Sequence, residues 1–411
     1  PDKLDVIDVY CERDVESCHE IFEHKKLSVL ETNQAMASVC TIPLSYVFNR
    51  GQGVRILALV ARNCMQLGLK IPKLNKNEVS DESFEGAIVV DPIRGIHDEP
   101  IAVIDFNSLY PSIMIGYNIS PDTKVTPDSP YYDLPHCEYF DLEYRTKDEK
   151  TAKKVRFVRP GPDGKYMGIL PRTCQQLLKA RKETRAKMKI LDPNNENDQK
   201  VLSQLNSEQM AYKVSCNSIY GQTGSSFSQI SDKEIAATVT AQGRRLIALS
   251  KQIAEELFDA TVMYGDTDSI FIRFKLDHIV RKAEKEGCSH EEIRTRKRAE
   301  TKRLSDLVAK MITDTINLPP IAIEYEKIFY PWISIGPKMY IGWKYEFDMN
   351  KYKFAEMGVS YKKRDYAPIV ADVCKTLVNM IFETIVEESK NGDSEYVREI
   401  TLDKVHKYIR D

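Results

Sequence analysis

Hydrophobic and polar positions alternate with different periods along the chain, and these periods predict its helices and strands. Up to about residue 75, apolar side chains recur at helical spacing, as in GVRILALVARNCMQLGL, which predicts helices. From 84 to 105 the pattern changes to FEGAIVV and IAVIDF, which predict strands. Residues 121–165 are polar, aromatic and rich in proline, with a PGPDGK turn, so we expect loops and short strands there.

The central part of the sequence predicts a pair of antiparallel helices. A basic helix covers 170–190, the run DPNNEN breaks it, and a second helix begins near Asp198 and continues through MAYKVSCNSIYG. A third helix is predicted over 232–256. The stretch TVMYGDTDSIFIRF then predicts a hairpin of two strands.

The last third of the chain contains charged helices and further strands. Residues 276–316 have a helical pattern and include the charged run RTRKRAETKR. IAIEYEKIFYPWIS and KMYIGWKYE predict strands, and beyond about residue 355 we expect helices rich in charge. Because 411 residues exceed what one hydrophobic core usually supports, we expect roughly two to four compact units.

The composition is that of a globular protein, with 42% hydrophobic and 29% charged residues. The 59 basic and 61 acidic residues nearly cancel, so a polyanion would have to bind a local basic surface. Nine scattered cysteines without a CxxC pair favour a reducing compartment and argue against structural zinc. No apolar run approaches the roughly 20 residues that span a bilayer, and the N-terminus lacks the features of a secretion signal. We therefore expect a soluble, intracellular protein, and the missing initiator Met indicates a segment of a longer chain.

Two acidic stretches are candidates for metal binding. The strand IAVI delivers Asp105 at its end, and Asp266 and Asp268 lie in the YGDTDS turn, where Gly265 is expected to let both carboxylates crowd one edge. Carboxylates from distant strand ends can meet at a sheet edge and offer Mg²⁺ hard oxygen ligands. Two such ions would activate an attacking hydroxyl and neutralise charge on a leaving phosphate. Either motif alone is more typical of a turn with solvated or helix-capping acids, but the two together favour a metal site.

Polar side chains on the helical pair form a candidate phosphate-binding site. Lys213, Asn217 and Tyr220 are four and three residues apart and so share one helix face. Arg181 lies on the opposed helix at a broadly similar distance from the connecting turn. The ammonium of a Lys, which acts as a point charge, and the planar guanidinium of an Arg would together bind a triphosphate. The alternative is a solvated basic face, which explains KARKETRAK but not the KxxxNSxYG spacing.

Three motifs resemble those of family B DNA polymerases. DFNSLYPSIM resembles motif A of that family, KVSCNSIYGQTG motif B and YGDTDSIF motif C, in the family's order. Similarity also extends to FEGA at 84–87, IEYEK at 323–327, GPKMYIG at 336–342 and GVSYKKRDYAPIV at 358–370, and thus covers nearly the whole chain. The delta-type subgroup, including enzymes of large DNA viruses, is the most similar. The resemblance implies an α+β right-hand fold, with an antiparallel palm sheet backed by helices and fingers made of a helical hairpin.

The resemblance implies roles for the acidic residues. Asp105 and Asp268 would ligate two Mg²⁺ ions, for which Mn²⁺ can substitute, and the carbonyl of Phe106 would help to hold one of them. Asp266 would be a nearby, less essential acid. Glu326 would assist a metal transiently, and an exposed strand glutamate is an equally good interpretation of that residue.

The resemblance also implies a nucleotide site. Tyr110 would stack under the incoming sugar and exclude a 2′-hydroxyl, the group that distinguishes RNA from DNA building blocks. The alternative for Tyr110 is a core tyrosine. The other implied nucleotide contacts are the backbone amides of Ser108 and Leu109, Arg181 and Lys213 on the triphosphate, and Asn217 and Tyr220 beside the nascent base pair.

The resemblance implies a further set of residues that contacts the backbone and minor groove of the primer duplex. Such contacts position DNA without reading its sequence. Its members are Gly221, Lys338, Tyr340 and Gly342. Met339 stands where the family usually has a second basic residue, so we expect the primer grip to be altered.

Several features depart from a complete family member. Tyr10 and Asp14, in YCERD, resemble the third exonuclease motif, whose carboxylate partners would lie far upstream and are absent from this sequence. The pair Asp141 and Glu143 follows motif A, so it cannot fill the first exonuclease position, and we interpret it as a loop. Proofreading is therefore not expected from this chain alone. The charged segment near 276–300 is longer than in the family and is interpreted as a surface insertion.

The implied domain order is that of a right hand. It comprises an exonuclease-domain tail with connecting helices at 1–83, palm at 84–165 and 222–355, fingers at 166–221 and the start of the thumb at 356–411.

The implied reaction is template-directed addition of dNMP from dNTP to a primer 3′-OH during DNA replication. Implied partners are primer–template DNA, dNTPs and a sliding clamp or accessory subunits, with no membrane, at the nucleus or a viral replication site. One alternative is a catalytically inactive DNA-binding scaffold with a decayed metal site. Another alternative is a nuclease that uses the same two metals. Arg181 and Lys213 argue against it, because a nuclease has no use for a triphosphate-binding pair.

Overall fold

The computed structural model describes residues 2–24, 28–71, 83–146, 152–388 and 401–408, and the chain divides into two compact units. The first unit comprises Pro1–Gly86 and Tyr110–Gln242, and the second comprises Ala87–Leu109 and Gly243–Asp411. The domain boundaries inferred from the sequence remain a prediction.

The first unit is mainly helical, and local signals explain where its helices form. Helix α4 buries Ile56, Leu59 and Val60 on one face. The side chain of Asn195 caps α7 by accepting hydrogen bonds from the backbone N–H groups that follow it. The helices are α1 Asp2–Glu23, α2 Val29–Cys40, α3 Leu44–Asn49, α4 Gln52–Gln66, α5 Leu109–Gly116, α6 Ile169–Met188, α7 Glu196–Gly224 and α8 Lys233–Phe258, of which α5 and α8 extend across the division between units.

Helices α6 and α7 are the antiparallel pair that the sequence predicts, and α2 and α4 pack against it. Cys40 on α2 hydrogen-bonds Ser215 on α7, with 3.5 Å between Sγ and Oγ. The Nδ2 of Asn63 on α4 donates to Oγ1 of Thr173 on α6 at 2.8 Å, in a buried contact. The N-terminal helices therefore brace both members of the pair.

A small antiparallel sheet also belongs to the first unit and corrects one interpretation. Its described strands are β4 Lys124–Val125, β5 Tyr139–Tyr144 and β6 Lys153–Val158, in the order β4-β6-β5. Asp141 and Glu143 lie within β5, so their interpretation as a loop is wrong. Asp141 accepts two hydrogen bonds from Arg156 of β6, from Nε at 2.7 Å and Nη2 at 2.9 Å, and this cross-strand pair favours a strand despite the charge.

The second unit is built around a larger antiparallel sheet. Its described strands follow the order β1-β7-β8-β3-β9-β10-β11, with β2 also paired to β9. The strands are β1 Val89–Val90, β2 Gly95–His97, β3 Ile101–Phe106, β7 Thr261–Asp266, β8 Ser269–Arg273, β9 Ile323–Gly336, β10 Met339–Tyr345 and β11 Tyr352–Met357. The unit also contains helices α9 Asp277–Lys285, α10 His290–Ile316 and α11 Pro368–Glu388, a 3₁₀ turn at Ser360–Lys362 and a helical segment at 401–408.

Strand β3 lies at the centre of this sheet, between β8 and β9. Its residues Ile101 to Ile104 are buried on both faces, which explains the continuous apolar run IAVI. Aromatic side chains, among them Phe271, Phe329 and Trp332, form the cluster against it. The polar end of β3 is thereby held by a rigid, fully packed strand.

Helix α10 corrects the interpretation of 276–300 as a surface insertion. Arg294 and Arg298 lie in its charged run, yet both are buried. Arg294 donates to the carbonyls of Ile385 and Val386 on α11. Arg298 lies over the ring of Tyr345, 4.9 Å from its centroid. The charge run is therefore partly structural, because it joins α10 to α11 and to the sheet.

Candidate active site

Asp105 and Asp268 come to the same end of neighbouring strands in the second unit. Asp105 is the cross-strand partner of Ser269, the residue that follows Asp268. The backbone N–H of Phe106 donates to the carbonyl of Asp268 at 2.9 Å. Residues more than 150 positions apart in sequence are therefore adjacent in the sheet, as the two sequence motifs predict.

A tight turn presents Asp268, and it is formed differently from the sequence expectation. Gly265 was expected to make the turn, but it lies inside β7, and the left-handed residue is Thr267 with φ 54°. A β-branched residue at positive φ is strained, by about 1–3 kcal/mol, and such strain is typical of functional sites. A Cβ on Gly265 would lie 3.0 Å from Cγ2 of Val90, so this glycine instead allows β1 to approach closely.

The carboxylates of the turn influence each other's ionisation. Burial raises the pKa of Asp268, and the negative charges of Asp266 and Glu326 raise it further, against its own backbone hydrogen bond and the nearby Lys338, which lower it. Nζ of Lys338 lies 2.9 Å from Oδ1 of Asp266. An excess of negative charge therefore collects beside Asp268, and a bound cation would offset it.

Strand β9 adds two glutamates to this region. Glu324 is the direct cross-strand partner of Asp105, and facing residues in an antiparallel pair share one side of the sheet. The register then shifts so that Glu326 is an extra residue opposite Val103 and Ile104, a β-bulge. Glu326 lies near enough to Asp268 to raise its pKa. Sequence reasoning missed Glu324, because only the register of β9 reveals its place.

The donor set fits a hard divalent cation that shares its ligands with solvent and substrate. Among the residues that the structure describes, no three His, Cys, Asp or Glu side chains are arranged to hold a metal ion by themselves. Mg²⁺ commonly takes only one or two protein carboxylates and completes its shell with water and phosphate oxygens. Asp105 and Asp268 match that requirement in type and number.

The turn between β3 and α5 offers backbone donors. Ser108 adopts the left-handed conformation, with φ 47°, directly before the first residue of α5, Leu109. A left-handed residue beside right-handed ones turns successive N–H groups towards one point and forms an anion-binding concavity. This geometry suits the phosphate-cradling role that the resemblance implies for both residues.

The predicted nucleotide residues of the first unit lie on α5, α6 and α7. The rings of Tyr110 and Tyr220 contact each other, with centroids 4.4 Å apart. Lys213 and Asn217 are exposed on α7. Arg181 on α6 is half-buried, and its Nε donates to Oε1 of Gln209 on α7 at 3.3 Å. Gln209 was not singled out from the sequence, although it precedes Lys213 by one helical turn.

The predicted DNA-binding residues have different surroundings. Gly221 is exposed at the end of α7 in the first unit. In the second unit, Lys338 has a 62% exposed side chain, and its backbone N–H donates to the hydroxyl of Tyr264 at 2.9 Å. Tyr340 and Gly342 are buried; a Cβ on Gly342 would lie 2.7 Å from the ring of Phe329. The observed role of these two residues is close packing, which leaves Lys338 as the accessible member of this part of the set.

Tyr10 and Asp14 lie on α1, four residues apart, and both are exposed. This spacing puts them on one helix face. The expectation that the chain lacks proofreading by itself stays a prediction.

The helices and antiparallel sheets of the two units define the class of protein: an α+β polymerase fold. The family model of DNA polymerase family B matches residues 42–411. The chain belongs to DNA polymerase family B, which confirms the resemblance seen in its motifs.

The relatives fit the delta-type and viral subgroup. The chain is 38% identical to a DNA polymerase of Pyramimonas orientalis virus, over 90% of this chain and 34% of that protein. It is 32% identical to the DNA polymerase delta catalytic subunit of Candida albicans, over 91% of this chain and 33% of that protein. The chain thus spans about a third of the length of these curated relatives.

A solved structure supports the fold. The family B DNA polymerase from the hyperthermophilic archaeon Pyrobaculum calidifontis aligns with a TM-score of 0.57 and 25% identity, over 93% of this chain and 41% of that one. Among the described residues, no helix combines the length and apolar character needed to cross a membrane.

Proposed function

We propose that this chain carries the site for template-directed DNA synthesis, adding dNMP from dNTP to a primer 3′-OH in the 5′ to 3′ direction during DNA replication. The observation that carries the proposal is that the backbones of Asp105 and Asp268 are adjacent at one end of neighbouring strands. Membership of family B supports the same activity.

In the second unit, Asp105 and Asp268 would hold two divalent cations, with the carbonyl of Phe106 as a further ligand. Mg²⁺, or Mn²⁺ in its place, would supply Lewis-acid stabilisation of the charge on the transferred phosphoryl group. Asp266 balances the charge of Lys338, and Glu326 lies close enough to assist. Ser108 and Leu109 donate backbone N–H groups to phosphate oxygens.

In the first unit, Arg181 and Lys213 bind the triphosphate, and Asn217 and Tyr220 line the new base pair. Tyr110 excludes the 2′-hydroxyl of ribonucleotides, and its tilted ring contact with Tyr220 supports this role because a ring packed against a neighbour resists displacement. Positioning and electrostatic stabilisation account for most of the rate enhancement.

Primer–template DNA is the partner that this reaction requires, and Lys338 is the side chain best placed to contact its backbone. The delta relatives are named as catalytic subunits, which supports accessory subunits as further partners. A sliding clamp, and action in the nucleus or at a viral replication site, belong to the same proposal. Exonuclease activity is not part of the proposal; the structure shows only that Tyr10 and Asp14 lie exposed on α1.

The test is extension of a primed template by the 411-residue chain with Mg²⁺ and dNTPs. Asp268→Asn keeps the shape of the side chain and removes the charge that a cation needs, so extension should fall by about 10²–10³-fold. The matched control is Asp314→Asn, an exposed acid on α10 paired only with Lys310 among the described residues, which should extend as the parent does.

Extension that survives Asp268→Asn unchanged would contradict the metal assignment. Shortening of the primer without dNTP dependence would instead identify a nuclease. DNA binding without extension by the parent chain would identify an inactive scaffold.

A further inference from the structure

Gln209 is a side chain of α7 whose amide is fixed at both ends. Its Oε1 accepts a hydrogen bond from Nε of Arg181 at 3.3 Å, and its Nε2 donates to Oδ1 of Asn206 at 3.0 Å. Because Asn206 occupies the donor side of the amide, the carbonyl oxygen faces Arg181. A guanidinium can only donate, so this is the orientation that Arg181 requires.

The place of Gln209 on α7 relates it to the proposed triphosphate residues. It precedes Lys213 by four residues, and Lys213 precedes Asn217 by four, so the three side chains follow one face of the helix. Gln209 is thus the next polar group along the face that carries the proposed nucleotide contacts.

The neutrality of Gln209 matters for the charge of Arg181. Burial lowers the pKa of Arg181, and the neighbouring Arg185 lowers it further, but the guanidinium stays a cation because arginine is not deprotonated in proteins. A carboxylate at position 209 would compete with a phosphate for this cation. An amide oxygen orients Arg181 without neutralising it.

The hydrogen bond also determines which part of the guanidinium remains for a ligand. Among the described residues, Gln209 is the only hydrogen-bond partner of the Arg181 side chain, and it uses the Nε–H. The two Nη groups keep four N–H donors, arranged in the planar fork that binds phosphate oxygens in pairs. A flexible side chain that is already oriented loses less rotamer entropy when its ligand binds.

We propose that Gln209 is a positioning residue for dNTP binding, which holds Arg181 across the α6–α7 pair with its Nη fork preset for the triphosphate. The proposal rests on the proposed function of Arg181 and adds to it a residue that touches no substrate.

The experiment compares four variants of the 411-residue chain in primer extension. Gln209→Met keeps the length of the side chain and removes the acceptor. Gln204→Met makes the same change at an exposed position of α7 and is the matched control. Arg181→Ala and the double variant Arg181→Ala with Gln209→Met complete the cycle.

Gln209→Met should raise the KM for dNTP about five- to tenfold, the size expected for one typical intramolecular hydrogen bond, and leave kcat within about twofold. The same change in the Arg181→Ala background should leave KM unaltered, because the group that Gln209 positions is gone. Gln204→Met should match the parent. A role in folding alone predicts equal effects in both backgrounds, and that result would overturn the proposal.

A binding probe separates this proposal from the proposed function. Inorganic tripolyphosphate, titrated against each variant without DNA, reports on the Arg181 phosphate site independently of chemistry. If Arg181→Ala and Gln209→Met both weaken its binding while the parent extends no primer, the positioning role stands and the polymerase assignment fails. If Arg181→Ala weakens binding and raises KM while Gln209→Met does neither, the positioning role alone is overturned. If Arg181→Ala changes neither quantity, both assignments to Arg181 are overturned.

Discussion

Gly265→Ala tests how the carboxylate turn is supported by the edge of the sheet. Gly265 is paired with Val90 of β1, and an added Cβ would lie 3.0 Å from Cγ2 and 3.2 Å from Cβ of Val90. Both distances are shorter than ordinary van der Waals contact, so β1 must move or β7 must bend. Overpacking of this kind costs about 1–3 kcal/mol. Because Asp266 and Asp268 follow directly, we also expect slower primer extension.

The structure supplies both a rescue and a control for this variant. Val90→Ala removes the Cγ2 that makes the shortest contact, so Gly265→Ala should lose less stability in a Val90→Ala background than in the parent. Gly336 has no atom within 4 Å of a built Cβ and no positive φ, so Gly336→Ala should stay within about 0.5 kcal/mol.

Thermal unfolding of the parent, the three single variants and the Val90→Ala/Gly265→Ala double variant measures these differences, at about 2–4 °C per kcal/mol for a domain of about 150–250 residues. If Gly265→Ala unfolds at the parent temperature, or if Val90→Ala does not reduce its penalty, the packing explanation is refuted.

Two further predictions concern sugar selection and pH. Tyr110→Ala should raise the ratio of ribonucleotide to deoxynucleotide incorporation, measured in single-nucleotide extension; an unchanged ratio would remove Tyr110 from sugar selection. Burial opposes ionisation of Glu356, whose side chain is 5% exposed, but hydrogen bonds from Lys362 and Tyr361 outweigh burial and hold its pKa below the ordinary 4.5. Its stabilisation is therefore complete above pH 4.5 and is lost as pH falls through the lower folded pKa, so Glu356→Gln should cost about 1–3 kcal/mol at pH 7 and progressively less in acid. Urea unfolding at several pH values checks this, and a penalty independent of pH would contradict it.

Local sequence patterns predicted the elements that carry the site, because their causes are local. The apolar run before Asp105 requires a buried strand, and the breaker between α6 and α7 requires a turn. The convergence of Asp105 and Asp268 could be predicted because both lie where a strand ends.

Features that depend on distant partners could not be predicted. Gly265 was expected to shape a turn, but its actual constraint is the proximity of Val90, which no local pattern encodes. Asp141 looked like a loop residue because its partner, Arg156, lies on another strand. The bulge that sets the place of Glu326 follows from the pairing of β3 with β9, not from the alternation within either strand.

The hydroxyl of Tyr264 helps to link two turns of the second unit. It accepts the backbone N–H of Lys338, while the Lys338 ammonium reaches Asp266, two residues beyond Tyr264. Two turns separated by some seventy positions in the chain are thus fastened at two points, by main chain and by side chain. A displacement of either turn is therefore transmitted to the other. A ligand that moves Lys338 would also move the segment that presents Asp268.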